Sequence, residues 1–180
     1  MVEYKKYNEI VLSELLSDYR KNFAGKTILM RSNYKYLQEF KVMFHDDNLP
    51  HLLGLHYVSQ IKYATGILKN IESGKMTEKT IQRHPEFNAR DLKGRITAYP
   101  LLYDIFHDNK VQVLIPTENM KPNSMRLECV FTSENEKGEY VLGLRKDKID
   151  GIYKPTTLYF SRKKRFSNMR KSTITYREWQ

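Results

Sequence analysis

The 180-residue chain has a single cysteine, Cys129, so no internal disulfide can form. No apolar stretch approaches the roughly 20 residues of a membrane span. The Met1-Val-Glu-Tyr-Lys start has no apolar run of a signal peptide. A soluble, cytoplasmic protein without a membrane partner is the expectation. Glycine occurs only 8 times, and no Walker, Gly-x-Gly-x-x-Gly or Gly-x-Ser-x-Gly pattern is present. Cys129 has no histidine beside it in sequence, and a buried apolar thiol is its default state. Nucleotide hydrolases and serine or cysteine hydrolases are thereby excluded. Internal repeats, low-complexity tracts and domain linkers are also missing, so residues 1–180 are expected to form one domain.

Apolar residues make up 40% of the chain, with 13 Tyr and 8 Phe, enough for a real core and too many for a disordered chain. Basic residues number 31 against 21 acids, a net +10 that attracts polyanions. The excess is uneven, because residues from Gly151 onward hold eight Lys or Arg and one acid, Glu178. The electrostatic footprint is therefore C-terminal.

Periodicity predicts an amphipathic helix over Tyr4 to Phe23 ended by Gly25, then a hairpin of Thr27 to Met30 and Leu37 to Phe44. His45 to Pro50 reads as a fixed loop. Helices are predicted over Val58 to Ile71, over Thr77 to Arg83 with Thr77 as N-cap, and over Arg90 to Phe106 with a bend at Pro100. Val111 to Ile115, Arg126 to Thr132, Glu139 to Leu144, Thr157 to Ser161 and Thr173 to Arg177 read as strands of an antiparallel sheet. The fold class is α+β: N-terminal helices packed on a C-terminal antiparallel sheet of about four to five strands.

Five histidines are available for proton transfer near neutral pH, none of them after His107. His45, His51 and His56 beside Asp46 and Asp47 offer a metal-site reading, but Pro50 and Gly54 interrupt any known ligand spacing. His84 and His107, at helix ends, read as structural. On the strand Ile152 to Arg162, simple alternation puts Lys154, Thr156, Leu158 and Phe160 on one face, with Thr157 and Tyr159 on the other. Mixed cations, hydroxyls and rings suit phosphate and base contacts, though an edge strand has the same composition. Arg162, Lys163, Lys164, Arg165, Arg170 and Lys171, interleaved with Phe166, Tyr176 and Trp179, form a nucleic-acid-binding candidate.

Asn48-Leu49-Pro50-His51-Leu52-Leu53-Gly54-Leu55 resembles a signature of the BECR nucleases (barnase, EndoU, colicin E5/D and RelE like), specifically their fourth group from phages and mobile elements. Arg95-Ile96-Thr97-Ala98-Tyr99 and Lys154-Pro155-Thr156-Thr157-Leu158-Tyr159 are similar to a helix and a late strand of that group. The resemblance implies a helical extension over 1–25, a nuclease-like core over 26–162 and a basic segment over 163–180. It also implies an endoribonuclease without metal or cofactor, leaving a 2′,3′-cyclic phosphate and a 5′-hydroxyl. His51 is then the base or acid with His56 in reserve, Arg95 and Lys154 are phosphate ligands, and Thr156 or Tyr159 donates a hydroxyl. The partner would be RNA, alone or presented by an RNA-guided effector, with an antitoxin as a further candidate. A non-catalytic nucleic-acid or ribonucleoprotein-binding inhibitor, and a metal-dependent nuclease on Asp46 and Asp47, are the competing readings.

Overall fold

Short segments rich in β-branched and aromatic residues pair into one sheet in the computed structural model, which describes residues 4–180. The strands are β1 (Thr27–Ser32), β2 (Glu39–Met43), β3 (Val113–Pro116), β4 (Cys129–Asn135), β5 (Gly138–Lys146), β6 (Tyr153–Ser161) and β7 (Ser172–Trp179). Their order is β1-β2-β6-β5-β4-β3-β7, and the last strand closes onto the first. The sheet thus has seven strands where four to five were expected. The hairpin β1–β2 does not stand apart, because β1 pairs with β2 on one side and β7 on the other. Non-local pairing of this kind leaves no local signal.

Among the described residues seven α-helices interleave with the strands: α1 (Leu12–Asn22), α2 (Asn48–Leu52), α3 (Ala64–Glu72), α4 (Glu78–Gln82), α5 (Glu86–Ala89), α6 (Leu92–Thr97) and α7 (Leu101–Phe106). Here too the sequence pattern needed correcting. The helix predicted from Tyr4 is interrupted at Val11, which is extended at φ −115° and ψ 120°, and only a 3₁₀ turn, Tyr7–Glu9, precedes it. The stretch from Arg90 to Phe106 divides into α6 and α7. The former starts at Asp91, whose side chain accepts from the Gly94 amide at 3.1 Å, and the latter starts after Pro100. The reciprocal Thr77–Thr80 cap of α4 is as expected.

The main core combines Leu15, Leu16 and Tyr19 of α1, the helices α2 to α7, and Leu142, Leu144 and Leu158 of the sheet. On the other face Ile115, Val130, Val141 and Phe166 form a smaller cluster beneath the basic segment. Cys129 is fully buried, and burial pushes its thiol far up. No helix among the described residues is long and apolar enough to cross a membrane.

The seam between β2 and β6 is the parallel one. It consists of one pair, Val42 with Tyr153, whereas β5 pairs with β6 along its whole length. Beyond Tyr153 no strand among the described residues pairs with the outer edge of β6, and α2 and α6 pack against that strand.

Candidate active site

The stretch expected as a loop, His45 to Pro50, turns into α2. Asn48 Oδ1 accepts from the His45 amide at 2.8 Å, and Pro50 sits in the first turn, where a helix has no use for its amide hydrogen. Leu49, Pro50 and Leu52 face inward, which leaves His51 exposed on the outer side. Gly54 then takes a left-handed conformation, φ +73°, and a 3₁₀ turn over Leu55–Tyr57 brings His56 and Tyr57 back beside α2. The His51 and His56 rings lie 5.0 Å apart, and His56 lies 3.9 Å from the Tyr57 ring.

Arg95 enters from α6 across Gly54. Its Nη1 donates to Thr157 Oγ1 at 3.3 Å and to the Leu158 carbonyl at 3.2 Å, capping the strandless edge of β6. The Arg90 and Arg95 guanidinium groups stand 4.9 and 5.8 Å from the Tyr57 ring centroid. Burial, then the neighbouring His51, and further Arg95 and Arg90, hold His56 below the ordinary histidine value, against the opposing pull of the Pro50 backbone. Its Nδ1 is buried with no hydrogen-bond partner among the described residues.

Strand β6 departs from simple alternation. Leu144 pairs with Pro155 and Gly143 with Thr157, so Thr156 is an unpaired bulge. Past the bulge the two faces exchange: Leu158 joins the core, while Lys154, Thr157 and Tyr159 share the outer face. Thr156 Oγ1 donates back to the Lys154 carbonyl at 3.1 Å. Lys154 Nζ donates to Asp147 at 2.6 Å and lies 3.9 Å from Asp150, which keeps it firmly protonated and largely neutralised. Tyr159 is half-buried, and burial raises its hydroxyl despite the Arg165 and Arg95 charges nearby.

The structure therefore brings His51, His56 and Arg95 together, ties Lys154 to Asp147, and turns Thr156 onto its own backbone. Tyr57, Arg90 and Thr157 are site residues that sequence reasoning missed. Adjacency to His56 was the one signal for Tyr57; the others depend on the Gly54 turn and the bulge. Among the described residues no group of three or more His, Cys, Asp or Glu converges to hold a metal. Asp46 instead accepts from Arg20 at 2.8 to 3.1 Å. His84 Nδ1 accepts from the Glu86 amide, and His107 stacks on Trp179 at 4.9 Å.

In the C-terminal segment Arg162, Lys163, Lys164 and Arg165 are exposed. Lys164 and Lys171 lie 3.3 and 3.9 Å from Glu134, and Arg170 covers the Tyr34 ring at 5.1 Å. Paired imidazoles beside guanidinium groups on the open edge of an α+β sheet are the components of phosphodiester cleavage. The chain belongs to the phage-Barnase-EndoU-ColicinE5/D-RelE like nuclease 4 family, whose model matches residues 11–179. The match takes in α1 and β7, outside the 26–162 stretch spanned by the motifs. No curated protein and no solved structure matches the chain significantly.

Proposed function

We propose that the protein is an endoribonuclease that cleaves without metal or cofactor. The observation that supports this reading is the convergence of His51 and His56, 5.0 Å apart, with Arg95 on the open edge of β6. His56, unprotonated at neutral pH, takes the proton of a ribose 2′-hydroxyl, whose oxygen attacks the adjacent phosphorus. The P–O5′ bond breaks, and exposed His51 protonates the departing oxygen. The products are a 2′,3′-cyclic phosphate and a 5′-hydroxyl. Arg95 and Arg90 offset the charge of the phosphorane, and Tyr57 gives a base a ring to stack on.

Tyr159 supplies a hydroxyl from the same face of β6, and Lys154 reaches phosphate only by exchanging Asp147 for it. The cations at Arg162, Lys163, Lys164, Arg165, Arg170 and Lys171 hold the flanking backbone. In this reading the protein comes from a phage or mobile element, its target is a structured or protein-bound RNA, a CRISPR guide in its effector included, and its role is that of a toxin or counter-defence factor.

The test is incubation of the purified protein with total RNA, guide RNA and DNA of matched sequence in chelator. RNA fragments ending in 2′,3′-cyclic phosphate, intact DNA, and loss of cleavage in His51→Ala and His56→Ala are the expected results. Cleavage of DNA, or cleavage abolished by chelator, overturns the mechanism. RNA bound and left intact favours the non-catalytic inhibitor.

A further inference from the structure

On the outer face of the sheet, away from the histidines, a cavity of about 470 Å³ opens between residues 116–121 and residues 165–170. That volume is within the range of small-molecule sites. Met120, Phe166 and Met169 line it with apolar and polarisable surface. Asn119 and Asn168 add two side-chain amides, each both donor and acceptor. Lys121, Arg165 and Arg170 also line it and make no salt bridge among the described residues, against one acid, Glu118.

The two walls are tied together from behind. Glu118 accepts from the Tyr34 hydroxyl, and the Arg170 guanidinium covers the Tyr34 ring. Glu139, fully buried, accepts from the Arg165 amide at 2.8 Å and pins the start of the second wall to β5. The cavity is thus formed before anything binds.

Tyr159 stands between the cavity and the catalytic edge. Tyr159 belongs to the same cluster as Met120, Phe166 and Met169, and its hydroxyl lies in the fields of both Arg95 and Arg165. On the far side Tyr36, 69% exposed, meets Tyr34 edge-on at 5.5 Å with Lys35 above its ring. Rings and cations therefore alternate from Tyr57 through Tyr159 to Tyr36.

We propose that this cavity is a nucleotide subsite for the RNA strand, one or more nucleotides from the scissile bond. A base rests on Met120, Phe166 and Met169 with its edge on Asn119 and Asn168, and its phosphate meets Arg165 and Arg170. The strand then continues over Tyr36. Apolar walls, bifunctional amides and unpaired cations in one cavity are what a nucleotide requires and what a plain cationic loop lacks. The inference rests on the ribonuclease reading only in taking the substrate strand to be RNA.

The probe is a 2′-O-methyl RNA octamer carrying 4-thiouridine, which cannot be cleaved by 2′-hydroxyl attack. On irradiation it should crosslink within residues 116–121 or 165–170. Asn168→Leu, which removes the side-chain amide without changing charge, should weaken octamer binding tenfold or more, and Asn119→Leu should act likewise. Crosslinks confined elsewhere, unchanged affinity in both variants, or failure of the unaltered protein to bind the octamer would each overturn the subsite. Cleavage of ordinary RNA is scored separately. An octamer held in the cavity by a protein that cuts nothing leaves the subsite standing and removes the nuclease reading; cleavage with an indifferent cavity does the reverse.

Discussion

Gly54 and Arg95 lie so close that no side chain fits between them: a Cβ on Gly54 would stand 2.8 Å from Arg95 Cδ. Gly54 is also left-handed at φ +73°, a conformation that costs other residues about 1–2 kcal/mol. Gly54→Ala should therefore strain the turn carrying His56 and displace Arg95 from the Leu158 carbonyl. We expect cleavage to fall at least tenfold, more than the stability loss explains. Activity measured well below the variant's own Tm separates the two effects.

His56 is expected to dominate the pH dependence. With its charged form disfavoured by burial, His51 and the arginines, the free base persists below the ordinary value of about 6.5. The rising, acid-side limb of the rate profile should have an apparent pKa under that value. His56→Ala should remove this limb and about 10²- to 10⁴-fold of activity. The same shift acts on stability. The unfolded chain takes up protons first, so the contribution from His56, and from similarly lowered His107, is present above about 6.5 and lost as pH falls through the folded values. Tm measured between about pH 7 and pH 5 should decline less steeply in His56→Phe.

Much of this architecture was legible locally. The Thr77–Thr80 cap and the β-branched runs of β3 to β7 carry their own signals, since capping and two-residue alternation depend on near neighbours. Joining β1, β2 and β7 into one closed sheet depends on partners more than a hundred residues away, as in Met30 opposite Arg177, and no local pattern encodes it. In the site, His51, His56 and Arg95 could be named from sequence. Thr157 could not, because the bulge at Thr156 reverses the alternation used to assign faces. Arg90 escaped as well, since only the turn at Gly54 brings Tyr57 beneath it.

Lys154 gives a sharper test of the phosphate contacts. Its ammonium donates to Asp147 at 2.6 Å, and Asp147 is held in turn below the usual carboxylate range by that lysine. Asp147→Asn removes the nearer of the two competing charges, leaving Asp150 at 3.9 Å, and frees Lys154 to turn to phosphate. If Lys154 contacts phosphate, the plot of log affinity against log salt for single-stranded RNA should steepen by about 0.7. An unchanged slope would identify Lys154 as a strut of the 147–150 turn. Loss of this surface pair should leave stability nearly unchanged, so the binding readout is not confounded by unfolding.

Asp18 is the corresponding structural test, outside the cluster of His51, His56 and Arg95. From α1 its carboxylate accepts from the Tyr99 hydroxyl at 2.6 Å and from the Tyr103 hydroxyl at 2.7 and 2.8 Å. Both tyrosines are buried, and burial together with this carboxylate pushes their hydroxyls well above the ordinary tyrosine value. Asp18→Ala leaves two buried donors without their acceptor, each worth about 1–3 kcal/mol. In a chain of this size each kcal/mol moves Tm by about 2–4 °C. Asp18→Asn keeps one acceptor oxygen and should lose less than Asp18→Ala. Tm should thus fall in the order unaltered protein, Asp18→Asn, Asp18→Ala, while RNA cleavage at a temperature where all three are folded stays within about twofold. A large loss of cleavage in folded Asp18→Asn would mean that α1 positions the catalytic edge as well as supporting the core.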